Sequence, residues 1–121
     1  MSFLNPEIIL KIKKYCDYQE RCHKEVKNKL YEMGCNSDSV GEITVLLIEA
    51  GYLNEERFAK AFVRGKFKIK KWGKVKIKHE LKLRDISEYC IKKALLEIDE
   101  DDYLNTLNEL VAKKKFRKND F

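Results

Sequence analysis

The side chains best suited to chemistry in this sequence are four cysteines, two histidines, an acidic run and a dense set of lysines and arginines. Cys16, Cys22, His23 and Cys35 supply the thiolate and imidazole donors that hold tetrahedral zinc. Cys16, Cys22 and Cys35 lie farther apart than the two-to-four-residue spacing that structural zinc sites favour. The bland reading, small buried thiols for Cys16, Cys22, Cys35 and Cys90, is therefore preferred. An even cysteine count also suits disulfides, but Met1-Ser2-Phe3-Leu4-Asn5-Pro6-Glu7 has no basic segment leading into an apolar core, so no secretory signal supports an oxidising compartment. The acidic run Asp99-Glu100-Asp101-Asp102 lacks the alternating ligands of a calcium loop and reads as the start of a helix. His23 and His79 stand singly in charged, helical contexts. There is no phosphate-binding loop, no GxSxG, no HExxH and no nucleophile beside a plausible base. No enzyme, cofactor or metal is expected.

The basic residues are different. Between Arg57 and Arg84 stand twelve lysines and arginines against one acid, Glu80, a net charge of +11 in a chain whose total is +6. The remainder therefore carries −5. Like charges at helical spacing cost about 0.2–0.5 kcal/mol per pair, so such a stretch opposes its own folding slightly. A focused positive field of this kind marks an anionic partner, either nucleic acid or an acidic protein surface. The competing reading is that the lysines only solvate exposed helix faces. Phe67 and Trp72 are candidate stacking platforms for bases. Their position next to Gly73 favours core packing or a joint between helices instead.

Those residues need helices to hold them. A chain of 121 residues suits one domain or a short stack of small units, and five Gly with one Pro are too few turn formers for a sandwich or barrel. Asn5-Pro6-Glu7 opens a first helix, with Ile8, Ile9, Ile12 and Tyr15 or Cys16 at helical spacing. A second segment runs from Glu20 to Met33 with Cys22, Val26, Leu30 and Met33 on one face, and Gly34 follows where a left-handed cap belongs. A third carries Val40, Ile43, Leu46, Leu47 and Ala50 and stops at Gly51. Asn54 caps a fourth, whose apolar face is Phe58, Phe62, Gly65 and Ile69. The stretches Lys66–Lys70 and Lys74–Lys78 alternate strictly and suit a β-hairpin around Lys71-Trp72-Gly73, but the helical rhythm on either side favours two helices. Ser87 caps a sixth segment, Glu88 to Ile98, with Cys90, Ile91, Ala94, Leu95 and Ile98 inward. A seventh starts at the acidic run, carries Tyr103, Leu104, Leu107, Leu110 and Val111, and ends in Lys113-Lys114-Lys115. No run approaches the length of about 18 apolar residues that a membrane span needs, so a cytoplasmic protein without membrane contact is expected.

The chain also repeats. Cys22, Val26 and Leu30 lie over Gly73, Ile77 and Leu81 at an offset of 51, and Ile43 and Leu47 lie over Ile91 and Leu95 at an offset of 48. This gives an all-α fold of tandem three-helix repeats in an elongated, curved array. Residues 1–50 form repeat one, 51–98 repeat two, and 99–121 the first helix of an incomplete third. A lone first helix leaves the apolar face of residues 103–111 short of partners, so either it folds back on repeat two or, as the closing Lys-Lys-Lys-Phe-Arg-Lys-Asn-Asp-Phe without a structural terminus suggests, the natural chain continues past Phe121.

The segment Gly51-Tyr52-Leu53-Asn54-Glu55-Glu56-Arg57-Phe58-Ala59, with Arg64, Gly73, Ile77 and Glu80-Leu81, resembles the RecX family of bacterial RecA regulators. That family's pattern is a Gly-aromatic-Leu-Asn/Asp-acid turn, then Phe-Ala, an Arg five residues on, and Gly-x-x-x-Ile-x-x-Glu-Leu. Arg84-Asp85-Ile86 departs from the Lys-Gly-Ile usual at that place. The resemblance implies tandem three-helix units that bind RecA filaments on DNA and damp recombinase, ATPase and co-protease activity in DNA repair and the SOS response. It points to Arg64, Lys68, Lys71, Lys74, Lys76 and Lys78 as contacts, and to Gly51, Tyr52, Leu53, Phe58, Ala59 and Leu81 as residues joining the units. A RecA filament and, weakly and without sequence preference, single- or double-stranded DNA are the implied partners of a monomer. The alternatives are a non-sequence-specific DNA-binding helical module and a scaffold without nucleic-acid contact. No helix presents a clear base-reading set of Asn, Gln and Arg.

Overall fold

Short polar side chains start the helices. Asn5 Oδ1 accepts from the Glu7 amide at 2.9 Å, Asn36 from Ser39 at 2.9 Å, Asn54 from Arg57 at 2.8 Å and the Ser87 hydroxyl from Cys90 at 3.3 Å. Asp99 does the same for Asp101 and Asp102 at 2.9 and 3.1 Å. Gly34 and Gly51 stop the second and third helices at φ 91° and 82°, where an L side chain is disfavoured. The resulting elements are α1 (Pro6–Tyr18), α2 (His23–Glu32), α3 (Ser37–Glu49), α4 (Glu55–Lys68), α5 (Lys74–Leu83), α6 (Glu88–Leu95) and α7 (Glu100–Asn119). The structure, a computed structural model, describes residues 4–119 and side chains through Ala112. The expected basic end of the last helix, Lys113-Lys114-Lys115, lies outside the described side chains, as does the start of the N-terminal segment, Met1-Ser2-Phe3.

The all-α expectation holds, and no strand forms among the described residues. The hairpin alternative fails because apolar side chains on both sides of the turn are claimed at helical spacing. Ala59, Val63 and Phe67 of α4 and Ile77 and Leu81 of α5 all enter one core, each at 6% exposure or less. Between the two helices the chain turns through Lys71 at φ 60°.

Two apolar clusters organise the molecule. Ile12 and Cys16 of α1, Val26 and Leu30 of α2, and Val40, Ile43 and Leu47 of α3 pack with Leu53. Phe58, Ala59, Val63 and Phe67 of α4, Ile77 and Leu81 of α5, and Cys90, Ile91 and Ala94 of α6 pack with Ile86 and Ile98. Cys22, which caps α2, crosses into the second cluster, while Leu53 enters the first from the turn before α4. Tyr103 of α7 packs against the second cluster, 6.0 Å from Phe67 ring to ring.

Several facing residues differ from the sequence reading. Ile69 is 78% exposed because the core registers on Phe67 instead. Cys22 is buried from a cap position rather than from within a helix, Leu46 is half-buried, and Ala50 is exposed at the end of α3. Helix α6 ends at Leu95, although Ile98 beyond it is still buried. On α7, Leu104, Leu107 and Val111 are exposed, since among its described side chains Tyr103 is the one that packs on the second cluster. No helix among the described residues is long and apolar enough to cross a membrane.

A candidate interface for an anionic partner

Helices α4 and α5 and the turn joining them carry the cations read from the sequence. Five of the twelve are already neutralised. Arg57 Nε meets Glu20 at 2.7 Å, and its Nη2 donates to the carbonyls of Gly51 and Tyr52 at 2.9 and 3.3 Å. Lys60 lies 3.7 Å from both Glu56 and Glu97, Lys71 3.6 Å from Glu109, Lys82 3.8 Å from Glu88 and Arg84 3.0 Å from Glu80. Among the described residues, Arg64, Lys66, Lys68, Lys70, Lys74, Lys76 and Lys78 have no carboxylate within ion-pair distance. These seven carry the uncompensated positive field.

Part of that set is held on aromatic rings. The Lys76 ammonium lies 4.3 Å from the Trp72 ring centre and that of Lys66 lies 4.9 Å from it. The Lys74 ammonium lies 4.5 Å from the Tyr103 ring, while the Lys74 amide donates to the Tyr103 hydroxyl at 3.3 Å. Outside that set, the paired Arg84 also stacks on a ring, that of Phe62 at 4.8 Å. Such contacts fix a cation without cancelling its charge. Helix α5 adds to the field, because Gly73 caps it without a side-chain acceptor and its first turn holds no acid. Arg64 donates to the Lys60 carbonyl at 3.4 Å, and Lys68 and Lys78 stand exposed. Lys71 and Lys74 face α7 through Glu109 and Tyr103, whereas Lys76 gathers at Trp72.

Of the aromatic candidates, Phe67 is buried, and Trp72 is half-buried with its ring edge-on to Phe62 at 6.3 Å. Neither offers an open stacking face, because Trp72 already carries two lysines. The remaining motif residues sit at joints. Gly51 turns at φ 82°, and Tyr52 packs on the first cluster with the Lys13 ammonium 5.5 Å from its ring. Leu53 is buried there, Asn54 caps α4, and Phe58, Ala59, Ile77 and Leu81 are core of the second cluster. At Gly73 an added Cβ would meet the Tyr103 hydroxyl at 3.6 Å.

Sequence reasoning missed Tyr103 as a joint and Glu20 and Glu109 as partners of the basic stretch. One signal was available: aligning the caps Asn54 and Asp99 places Phe58 over Tyr103. The thiols divide between the clusters. Cys16 and Cys22 lie in different cores, and burial raises both, Cys22 to about 11. All four cysteines are free thiols, and no described group of three or more Cys, His, Asp or Glu could hold a metal ion.

Comparison with known proteins places this arrangement. Residues 54–95, from the cap of α4 to the end of α6, match the family model described as RecX, second three-helix domain. The regulatory protein RecX of Clostridium perfringens strain 13 is 31% identical over 94 residues, covering 78% of this chain and 43% of the relative. That of Lactobacillus johnsonii is 27% identical over 97 residues, covering 80% and 36%. This chain thus spans less than half the length of these relatives. The crystal structure of RecX from Lactobacillus salivarius superposes with a TM-score of 0.79 at 25% identity, over 97% of this chain and 79% of that one. A second crystal structure, of regulatory protein RecX, gives 0.83 at 21% identity over 93% and 56%. The helices α4 and α5 that carry the seven unpaired cations lie within the stretch the family model matches, and these similarities together support the RecX family.

Proposed function

We propose that this chain is a cytoplasmic, monomeric regulator that binds RecA filaments on DNA and inhibits recombination, ATP turnover and co-protease activity. The observation that carries the reading is the match of residues 54–95 to the second three-helix domain of RecX, the stretch that also holds most of the unneutralised cations. In this reading the chain acts as three-helix units at 1–50 and 51–98, with 99–121 opening a third. Arg64, Lys68, Lys71, Lys74, Lys76 and Lys78 face phosphate and acidic subunit edges in the filament groove. Bridging neighbouring subunits then hinders filament growth or the motion that ATP turnover needs. No catalytic step is required.

Binding to preformed RecA filaments on single-stranded DNA, measured beside naked DNA at low and physiological salt, tests this. A preference for filaments that persists at physiological salt is expected, since a composite protein–DNA surface is less salt-dependent than phosphate contact alone. Equal and salt-sensitive binding to both would make the chain a nonspecific DNA-binding module, a reading favoured by the seven uncompensated cations between Arg57 and Arg84.

A further inference from the structure

We propose that the groove between the α1–α2 turn and the outer side of α4 docks an acidic amphipathic segment of a protein partner. This rests on the reading above and assigns the protein part of the filament contact to a surface separate from the lysines of α5.

Helix α4 has two apolar sides. Ala59, Val63 and Phe67 serve the core, whereas Ala61, Phe62, Gly65 and Ile69 line the groove with the edge of Phe58. Spacings of three and four residues put this second set along one side of the helix. Ile69 is 78% exposed there and extends the apolar floor of the groove past the end of α4. Gly65 fits the same picture. A glycine inside a helix costs about 0.5–1 kcal/mol relative to alanine, yet a Cβ at Gly65 would meet nothing within 4 Å. The molecule's own packing does not use the room above it, and a second backbone lying against α4 would.

Charge selects the occupant. At the α4 rim, Lys66 and Lys70 lack carboxylate partners, whereas the acids of the opposite rim are engaged, Glu20 by Arg57 at 2.7 Å and Glu25 by Arg21 at 3.8 Å. An apolar floor beside two unneutralised ammonium groups suits an apolar anchor flanked by Asp or Glu. A nucleotide fits less well. Phe62 already carries Arg84 at 4.8 Å and Lys66 at 5.5 Å, and Phe58 is buried, so no open aromatic face remains for a base.

Gly65→Leu fills the groove without touching the α5 lysines, and Ile69→Asn removes the exposed apolar contact. Each variant is first checked for helix content and melting temperature. At physiological salt both are expected to bind RecA filaments at least tenfold more weakly than the unaltered chain, with affinity for naked single-stranded DNA changed less than twofold. Unaltered filament binding by either folded variant overturns the groove and leaves the functional reading standing. An equal loss on filament and naked DNA makes the groove a nucleic-acid contact and also overturns the proposal. If the unaltered chain shows no preference for filaments, the functional reading fails first and the groove's role fails with it. Should Gly65→Leu not fold, Ile69→Asn decides alone, because its side chain contributes nothing to the core.

Discussion

Two single residues show how local physics sets this molecule's properties. Asp85 stands at φ 59°, at the place in the second set of helices that Gly34 occupies at φ 91° in the first. This left-handed position explains the glycine usual in the family pattern, since an L side chain there costs backbone energy. Asp85 lies 3.9 Å from Lys24, whose ammonium also donates to the Leu83 carbonyl at 2.9 Å. An exposed pair of that length contributes a few tenths of a kcal/mol at most. Asp85→Gly is therefore expected to raise stability by about 0.5–1 kcal/mol, read from the urea midpoint. A lower midpoint would show that the contact with Lys24 outweighs the strain. The cysteines follow burial in the same way. Cys16, Cys22 and Cys90 are buried and Cys35 is half-buried, so one rapidly reacting thiol of four is expected with a disulfide reagent at pH 8. Two or more fast thiols would mean that a core opens readily. Burial raises Cys22 above its ordinary 9.0 to about 11, so the protonated folded form is favoured below about pH 9 and that contribution disappears as pH climbs through 11.

The helix is the scale at which sequence and structure compare most usefully. Caps and stops were legible because each is a local contact: Asn5, Asn54 and Ser87 accept from amides two or three residues on, and Gly34 and Gly51 take positive φ. The register of α4 was not, because the helix carries one apolar stripe for the core and another for the groove. Only packing against α6, through Ala59, Val63 and Phe67, decides which is internal, and Ile69 falls on the other. The excess of cations was legible too, but not which of them are neutralised. Glu20, Glu97 and Glu109 reach Arg57, Lys60 and Lys71 from outside α4 and α5. At α5 the charge argument gives a clean test. Its first turn puts lysines at the positive end of the helix with no acid to offset it. Replacing Lys74, Lys76 and Lys78 together by Glu is expected to leave the far-UV circular dichroism unchanged, because acids suit that end of a helix. The same variant is expected to lose more than tenfold in filament binding. Retained binding would remove these lysines from the interface.

Across the whole molecule, the two clusters are fastened by exchanged residues rather than by a large shared face. Cys22 leaves the first set of helices for the second core, Leu53 enters the first core from the turn before α4, and Arg57 returns to Glu20. Lys24 to the Leu83 carbonyl and the Ser87 amide to Glu55 at 2.6 Å add polar ties along the same seam. These contacts predict that the clusters melt together. Trp72 is the only tryptophan and packs on the second cluster, so its fluorescence follows that cluster while circular dichroism follows all the helices. Leu53→Ala removes a side chain 1% exposed in the first cluster, which costs about 2–5 kcal/mol. In a coupled molecule the Trp72 transition shifts by as much as the dichroism, although no atom beside Trp72 has changed. If instead the fluorescence midpoint stays in place while part of the helical signal melts earlier, the seam transmits little. The second cluster would then be a separately folding body that carries the basic surface by itself.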